Sequence, residues 1–191
     1  MKYFHKDIEL EVPDSVYCPR EDSELMARCI EEMDMNKRAA LEVGCGSGLL
    51  SIIMSKNGAA VTAVDINPDA VDATKKNADK NDANVNSFVS DLFENVEGKF
   101  DLIAFNPPYL PDDDNEPTYS GGKTGREVIG RFISGVKRFL NNDGVVLAII
   151  SSLTGEEEVI GMFKSIGMKT TVIRREKIPW EELLVIKACC D

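Results

Sequence analysis

Two groups of residues in this chain have the types and spacing to do chemistry. The first is Asn106-Pro107-Pro108-Tyr109, directly after the apolar run Phe100 to Phe105. The Asn106 carboxamide oxygen and the Pro107 carbonyl are two acceptors that can take both N–H bonds of a planar amino group, in an amide or in an adenine. Held that way, the nitrogen turns its lone pair toward an electrophile. Proline has no N–H to donate, and two prolines stiffen the loop that carries the acceptors. Tyr109 adds an aromatic face for a planar group. Read alone, the tetrapeptide is also an ordinary Pro-rich turn after a buried strand. The second group is Leu41-Glu42-Val43-Gly44-Cys45-Gly46-Ser47-Gly48, an apolar run entering a Gly-rich turn that lets a ligand approach the backbone. Asp65, twenty-one residues after Gly44, ends the next apolar run, where a carboxylate can accept both hydroxyls of a ribose. This spacing suits a nucleoside-containing cofactor of either common type. It departs from the dinucleotide pattern, because Leu49 stands where the third glycine belongs.

Alternating elements must position these residues. Apolar runs 39–43, 60–64, 85–89, 100–105 and 145–150 read as strands, with later ones at 169–174 and 183–188. Helical spacing covers the stretch from Leu25 to Met33, then 49–56, 70–80, 127–140 and a helix ending at Ser165. Asp22 or Ser23 is placed to cap the first helix, Asn67-Pro68 the third, and Thr154 with Glu157 forms a capping box for the last. Asn141 to Gly144 reads as a turn, and residues 1–20 as a polar, extended segment. Strands alternating with helices imply a mostly parallel sheet, with ligands beyond the strands' carboxyl ends. Asp65, Asp91 and Asn106 are the polar residues expected at that edge.

Composition narrows the class. The 191 residues predict a single domain spanning 1–191, with 43% apolar and 29% charged residues. No apolar run reaches membrane-spanning length, and the charges in the first twelve residues do not fit a secretory signal. With 22 basic and 33 acidic residues the net charge is −11, which disfavours nucleic acid as a partner. Five cysteines without a C-x-x-C pair, together with one histidine, predict reduced thiols in the cytoplasm and no metal site.

The Gly44-x-Gly46-x-Gly48 turn followed by an acidic strand end resembles the site of the class I S-adenosylmethionine-dependent methyltransferases. The resemblance implies an α/β Rossmann-like fold: a seven-stranded, mostly parallel sheet in order 3-2-1-4-5-7-6, with helices on both faces. It also implies roles. Gly44, Gly46 and Gly48 would pass under the methionine part of S-adenosyl-L-methionine, with Glu42, Asp22 and Ser23 in the cofactor-binding set. Asp65 would hold the ribose, Ile66 would pack on the adenine, and Asp91 with Leu92 would receive the adenine amino group. Asp91 also reads as a turn or cap residue, and Glu21 and Asp22 as plain helix-start charges. Asn106-Pro107-Pro108-Tyr109 resembles the signature of methyltransferases acting on glutamine side chains or adenines. Asn106, Pro107 and Tyr109 would be catalytic and, with Pro108, would bind the substrate.

Further segments resemble one branch. Val16-Tyr17-Cys18-Pro19-Arg20-Glu21-Asp22-Ser23, the Gly121 to Ile129 segment, and Arg174-Arg175 with Glu182 to Val185 are similar to the short eukaryotic and archaeal peptide-release-factor glutamine methyltransferases, the HemK-related family. Arg20 departs from the commoner alanine, and Asp112 to Asp114 add an acidic run that reads as a solvated loop or as a selector for a basic substrate. The bacterial relatives carry an additional N-terminal helical domain, for which this chain has no room. The resemblance implies N5-methylation of a glutamine in the G-G-Q loop of a translation release factor, leaving S-adenosyl-L-homocysteine. It further implies a small zinc-binding activator subunit at the sheet edge formed by residues 83–91. An adenine-N6 methyltransferase, a non-catalytic cofactor-binding subunit and a nicotinamide oxidoreductase are the competing readings.

Overall fold

The computed structural model describes residues 1–109 and 122–190. Asp112 to Asp114 and Gly121, singled out above, lie outside the described residues. Strands β1 (Lys2–His5) and β2 (Ile8–Glu11) form an antiparallel hairpin. The sheet is built from β3 (Ala39–Val43), β4 (Ala60–Asp65), β5 (Val85–Val89), β6 (Phe100–Phe105), β7 (Leu140–Ser151), β8 (Met168–Ile178) and β9 (Glu181–Cys190). Its order is β5-β4-β3-β6-β7-β9-β8, and β9 runs antiparallel to both β7 and β8. This is the 3-2-1-4-5-7-6 order that the sequence resemblance implied.

Burial alternates along the central strands and sorts side chains to two helical layers. Ala40, Leu102, Ala104, Leu147 and Ile149 pack on the side of α1 (Glu21–Glu31), α2 (Leu49–Lys56) and α3 (Pro68–Lys80). Leu41, Val43, Ile103, Phe105, Val146 and Ala148 pack on the side of α4 (Glu127–Val136) and α5 (Glu156–Ser165). Strands covered on both faces read as continuous apolar runs, which is why their bounds were legible. Phe105, the residue before Asn106, stacks on Phe132 of α4 with ring centroids 4.3 Å apart, so the base of that loop is held by the core.

Four local expectations are corrected. Residues 2–11 are a hairpin, turning through Lys6 at φ 52°, and not a simple extended segment; residues 15–20 alone line the cavity described below. The first helix starts at Glu21 with Arg20 at its N-cap, which places Asp22 and Ser23 inside the first turn. Thr154 is not in a capping box: Gly155 is the N-cap, without a side-chain cap, and the Thr154 hydroxyl turns inward. Residues 141–144 belong to β7, whose register with β6 shifts at Phe100–Leu102. Asn67 does cap α3, its side chain accepting from the Asp69 N–H at 3.0 Å.

The hairpin is fixed to α3 by side-chain amides that take the place of a third strand. Asn77 accepts from the Glu11 N–H (2.9 Å) and donates to the carbonyls of Glu11 (3.1 Å) and Ser47 (2.9 Å). One buried amide therefore joins the hairpin, α3 and the Gly-rich turn. Truncating it removes the partner of three backbone groups, of which the Ser47 carbonyl is buried, so Asn77→Ala is expected to cost about 1–3 kcal/mol. Urea denaturation of the two proteins checks this, and the variant should also lose protection of the Gly-rich turn in hydrogen exchange.

Candidate active site

The carboxyl ends of β3, β4 and β6 open into a cavity of about 830 Å³. It is walled by the Gly-rich turn, the Asp65-Ile66 and Asp91-Leu92 strand ends, the segment from Ser15 to Ser23, and Asn106 to Tyr109. Every site residue expected from sequence lines it except Gly48. Gly44 and Gly46 have φ of 69° and 51°. A Cβ on Gly46 would meet only the Tyr17 carbonyl at 4.0 Å, so the space above it is left for a ligand. Gly48 (φ 86°) is the N-cap of α2, and a Cβ there would lie 3.0 Å from the Thr74 Cα of α3. The missing Cβ makes room for helix packing, and Gly48 is not among the residues that line the cavity.

Asp65 braces the turn. One carboxylate oxygen accepts from the Gly46 N–H and the other from the Asn67 N–H, both at 2.9 Å. Burial pushes its pKa up, and these backbone donors pull it back. Each oxygen keeps lone-pair capacity toward the cavity. Ile66 is 63% exposed, an apolar plate on the cavity wall. Asp91 accepts from Arg131 at 2.7 Å, a partner sequence reading did not provide. Leu92 beside it is left-handed, with φ 50°. Glu42 is buried and accepts from both the N–H (2.8 Å) and the hydroxyl of Ser51 on α2.

Asp22 organises the end of the cavity next to Asn106 and Tyr109. Its buried carboxylate accepts from the Tyr17 hydroxyl (2.9 and 3.0 Å), the Tyr109 hydroxyl (3.2 Å), the Asn106 side-chain N–H (3.2 Å) and the Ser23 N–H (2.6 Å). Burial, and then the charge of Asp22, push both phenols well above the usual tyrosine range. They stay protonated and donate. Asn106 also donates to the Ser23 hydroxyl at 3.3 Å. Its carboxamide oxygen is buried and has no hydrogen-bond partner among the described residues. The Thr154 hydroxyl donates to the Tyr109 carbonyl at 3.2 Å, fixing the far end of the loop. Tyr17, Arg131 and Thr154 were missed as site residues. Only Tyr17 had left a signal, in the segment it shares with Asp22.

Arranged this way, the site offers acceptors. A buried amide oxygen without a partner is a place for an incoming N–H, and the carboxylates face a cavity suited to a cationic, hydroxyl-bearing ligand. Residues 20–178 match the family model "Methyltransferase small domain". A Methanocaldococcus jannaschii protein named "Putative protein N5-glutamine methyltransferase" is 46% identical over 189 residues, with 95% of each chain covered. The human "Methyltransferase HEMK2" is 28% identical, covering 96% of this chain and 94% of its own. Among solved structures, the E. cuniculi Mtq2-Trm112 complex, described as responsible for methylating the translation termination factor eRF1, aligns with a TM-score of 0.79. It is 25% identical over 93% of this chain and 99% of that one.

Burial pushes the pKa of Glu42 from 4.5 up to about 8, against the opposing pull of Ser51, and the charge of Asp65 adds to the rise. The folded protein thus keeps a proton that the unfolded chain releases. Stability from this group is full below pH 4.5 and is lost as pH rises toward 8. Glu42→Gln keeps an acceptor for the Ser51 N–H and does not titrate. Its melting temperature should match the parent below pH 4.5 and exceed it by a growing margin up to pH 8, as read by calorimetry across that range.

Proposed function

This chain belongs to the methyltransferase small domain family, and on that premise we propose that it methylates the side-chain amide nitrogen of a glutamine in a translation release factor, using S-adenosyl-L-methionine. The cofactor supplies a methyl group made electrophilic by a sulfonium. The residues present fit it: Gly44 and Gly46 leave room, Asp65 would take the ribose hydroxyls, and Ile66 would cover the adenine. Asp91, held by Arg131, and the neighbouring Leu92 would receive the adenine amino group. Glu42, Asp22 and Ser23 lie at the end where the ammonium and sulfonium charges would stand.

The observation that carries the reading is the orientation of Asn106. Its N–H side is committed to Asp22 and Ser23, so its oxygen is the unpaired group. Asn106 Oδ1 accepts one N–H of the glutamine amide and the Pro107 carbonyl accepts the other, which rotates the nitrogen lone pair toward the methyl donor. Pro107 and Pro108 hold the acceptors still, and Tyr109 lies along the amide plane. Preorganised acceptors of this kind lower the barrier because they need no rearrangement during the reaction. The names of the relatives favour glutamine over adenine as the acceptor. The cysteines stand as free thiols, which suits a reducing cytoplasm, and no described helix is long and apolar enough to cross a membrane.

A small partner subunit is the second part of the proposal. Among the described residues strand β5 pairs only with β4 and forms one edge of the sheet. Val89 is 43% exposed there, beside half-buried Val85 and Phe88. Open edges of this kind accept a strand from another chain. The Mtq2 neighbour was solved with Trm112, and the sequence resemblance makes this partner the zinc carrier.

Two paired variants test the chemistry. Asn106→Ala should lower turnover on a release factor by about 10²–10³ with cofactor affinity retained. Asp65→Ala should instead weaken cofactor binding about ten- to a hundredfold, as measured by calorimetry. Near-normal turnover of Asn106→Ala would sink the reading. For the partner, co-expression with a small zinc-binding protein should give one gel-filtration peak and faster methylation, and Val89→Lys should split that peak in two.

A further inference from the structure

The turn between β8 and β9 carries a feature the mechanism above does not use. Trp180 is 97% exposed and left-handed, with φ 79°. A bulky residue in that conformation is an outlier, and an indole held in water is costly unless something covers it. Pairing of Ser151 with Leu183 sets this turn beside the carboxyl end of β7. The Ser152 N–H donates to the Glu182 carbonyl (2.8 Å), and the Glu182 N–H donates to the Ser152 hydroxyl (3.0 Å). Leu153, 53% exposed, stands next to that clasp.

The tip is continuous with the active cavity. Ile178 and Glu181 line the same cavity as Asn106 and Tyr109, and they also border a shallower groove that contains Trp180, Lys177 and Ser152. Glu181 is near enough for its charge to act on the Tyr109 hydroxyl. Its Oε2 atom is buried without a hydrogen-bond partner among the described residues. A desolvated carboxylate oxygen with no donor is unfavourable until a ligand supplies one.

We infer that the Trp180–Glu181 tip is the docking site for the polypeptide segment that presents the target glutamine. Trp180 packs on that segment, and Glu181 accepts from one of its N–H groups or basic side chains. The occupant is a peptide and not a nucleic acid strand: an exposed indole could stack on a base, but Glu181 and Glu182 would face its phosphates. This inference rests on the proposed glutamine methylation.

The chain has one tryptophan, so its emission reports this site alone. Titrating a purified translation release factor into the intact protein, with the release factor's own emission subtracted using the Trp180→Ala variant as the blank, should shift the emission to shorter wavelength, and S-adenosylmethionine alone should leave it in place. Truncating a central interface tryptophan is a large loss. Trp180→Ala should therefore raise KM for the release factor at least about tenfold with kcat within about twofold of the parent. Glu181→Gln, which removes the charge and puts an NH2 donor in place of one of the two acceptor oxygens, should raise KM by roughly fivefold, in line with losing one hydrogen bond. Methylation of the release factor with unchanged emission, and with both variants at parental KM, would overturn the docking site and leave the function standing. Absence of any glutamine methylation would bring down both.

Discussion

The Asp22 carboxylate is the group on which the working geometry of the site depends. An ionised carboxylate only accepts, so it dictates the direction of every hydrogen bond that reaches it. It draws the N–H side of Asn106 and the hydroxyls of Tyr17 and Tyr109 toward itself. A free asparagine amide can turn over at little cost; beside Asp22 the reversed orientation would set oxygen against oxygen. On the proposed reading, the acceptor that the target amide needs is thereby aimed without any contact from the substrate. The same carboxylate ties the segment before α1 to the loop after β6. The wall of the cavity and the Asn106 loop are one hydrogen-bonded unit.

That unit is supported by the parallel sheet beneath it. In such sheets the strands end together, and loops from distant parts of the sequence meet above them. β3, β4 and β6 lie side by side, which brings Gly44, Asp65 and Asn106 to one edge. The Phe105–Phe132 stack and the Thr154–Tyr109 bond hold the Asn106 loop at both ends. Little of this precision comes from the prolines alone. They restrict the chain, and core packing and side-chain bonds decide where the restricted chain points.

The positions of β3 to β6 were legible in the sequence because buried parallel strands are uninterrupted apolar runs, whereas the strand order and much of the cavity lining were implied by the family resemblance. The readings that failed share a cause. Thr154 followed by Glu157 fits a local capping rule, but the hydroxyl is buried and serves Tyr109, a contact forty-five residues away. Gly48 fits a ligand-loop pattern, but its missing Cβ makes room for Thr74 of α3. Asp22 reads as a helix-start charge, and its partners Tyr109 and Asn106 come from the other side of the fold. The β1–β2 hairpin was hidden because its edges are satisfied by the side chains of Asn77 and Asn81, which carry no strand pattern. In each case tertiary context decided between local options that sequence spacing left equal.

The polarity of the cavity explains part of the acidity of the chain. On the proposed reading both reactants approach as donors: a cation with ammonium and hydroxyl groups on one side, an amide NH₂ on the other. The wall answers with acceptors, namely Asp22, Asp65, Asp91, Glu181 and the Asn106 oxygen, beside the buried Glu42 that holds its proton. Packing these into one partly desolvated space is unfavourable in the free protein. It shows in the raised pKa values of Glu42 and Asp65 and in the unpaired oxygens of Asn106 and Glu181. Such a wall is complementary to ligands that bring donors, so its polarity becomes selectivity. An acceptor-rich molecule of the same shape would set its lone pairs against the Asn106 and Glu181 oxygens, and a donor-rich cation would satisfy them. The site thus discriminates by the sign and direction of its hydrogen bonds as much as by its shape.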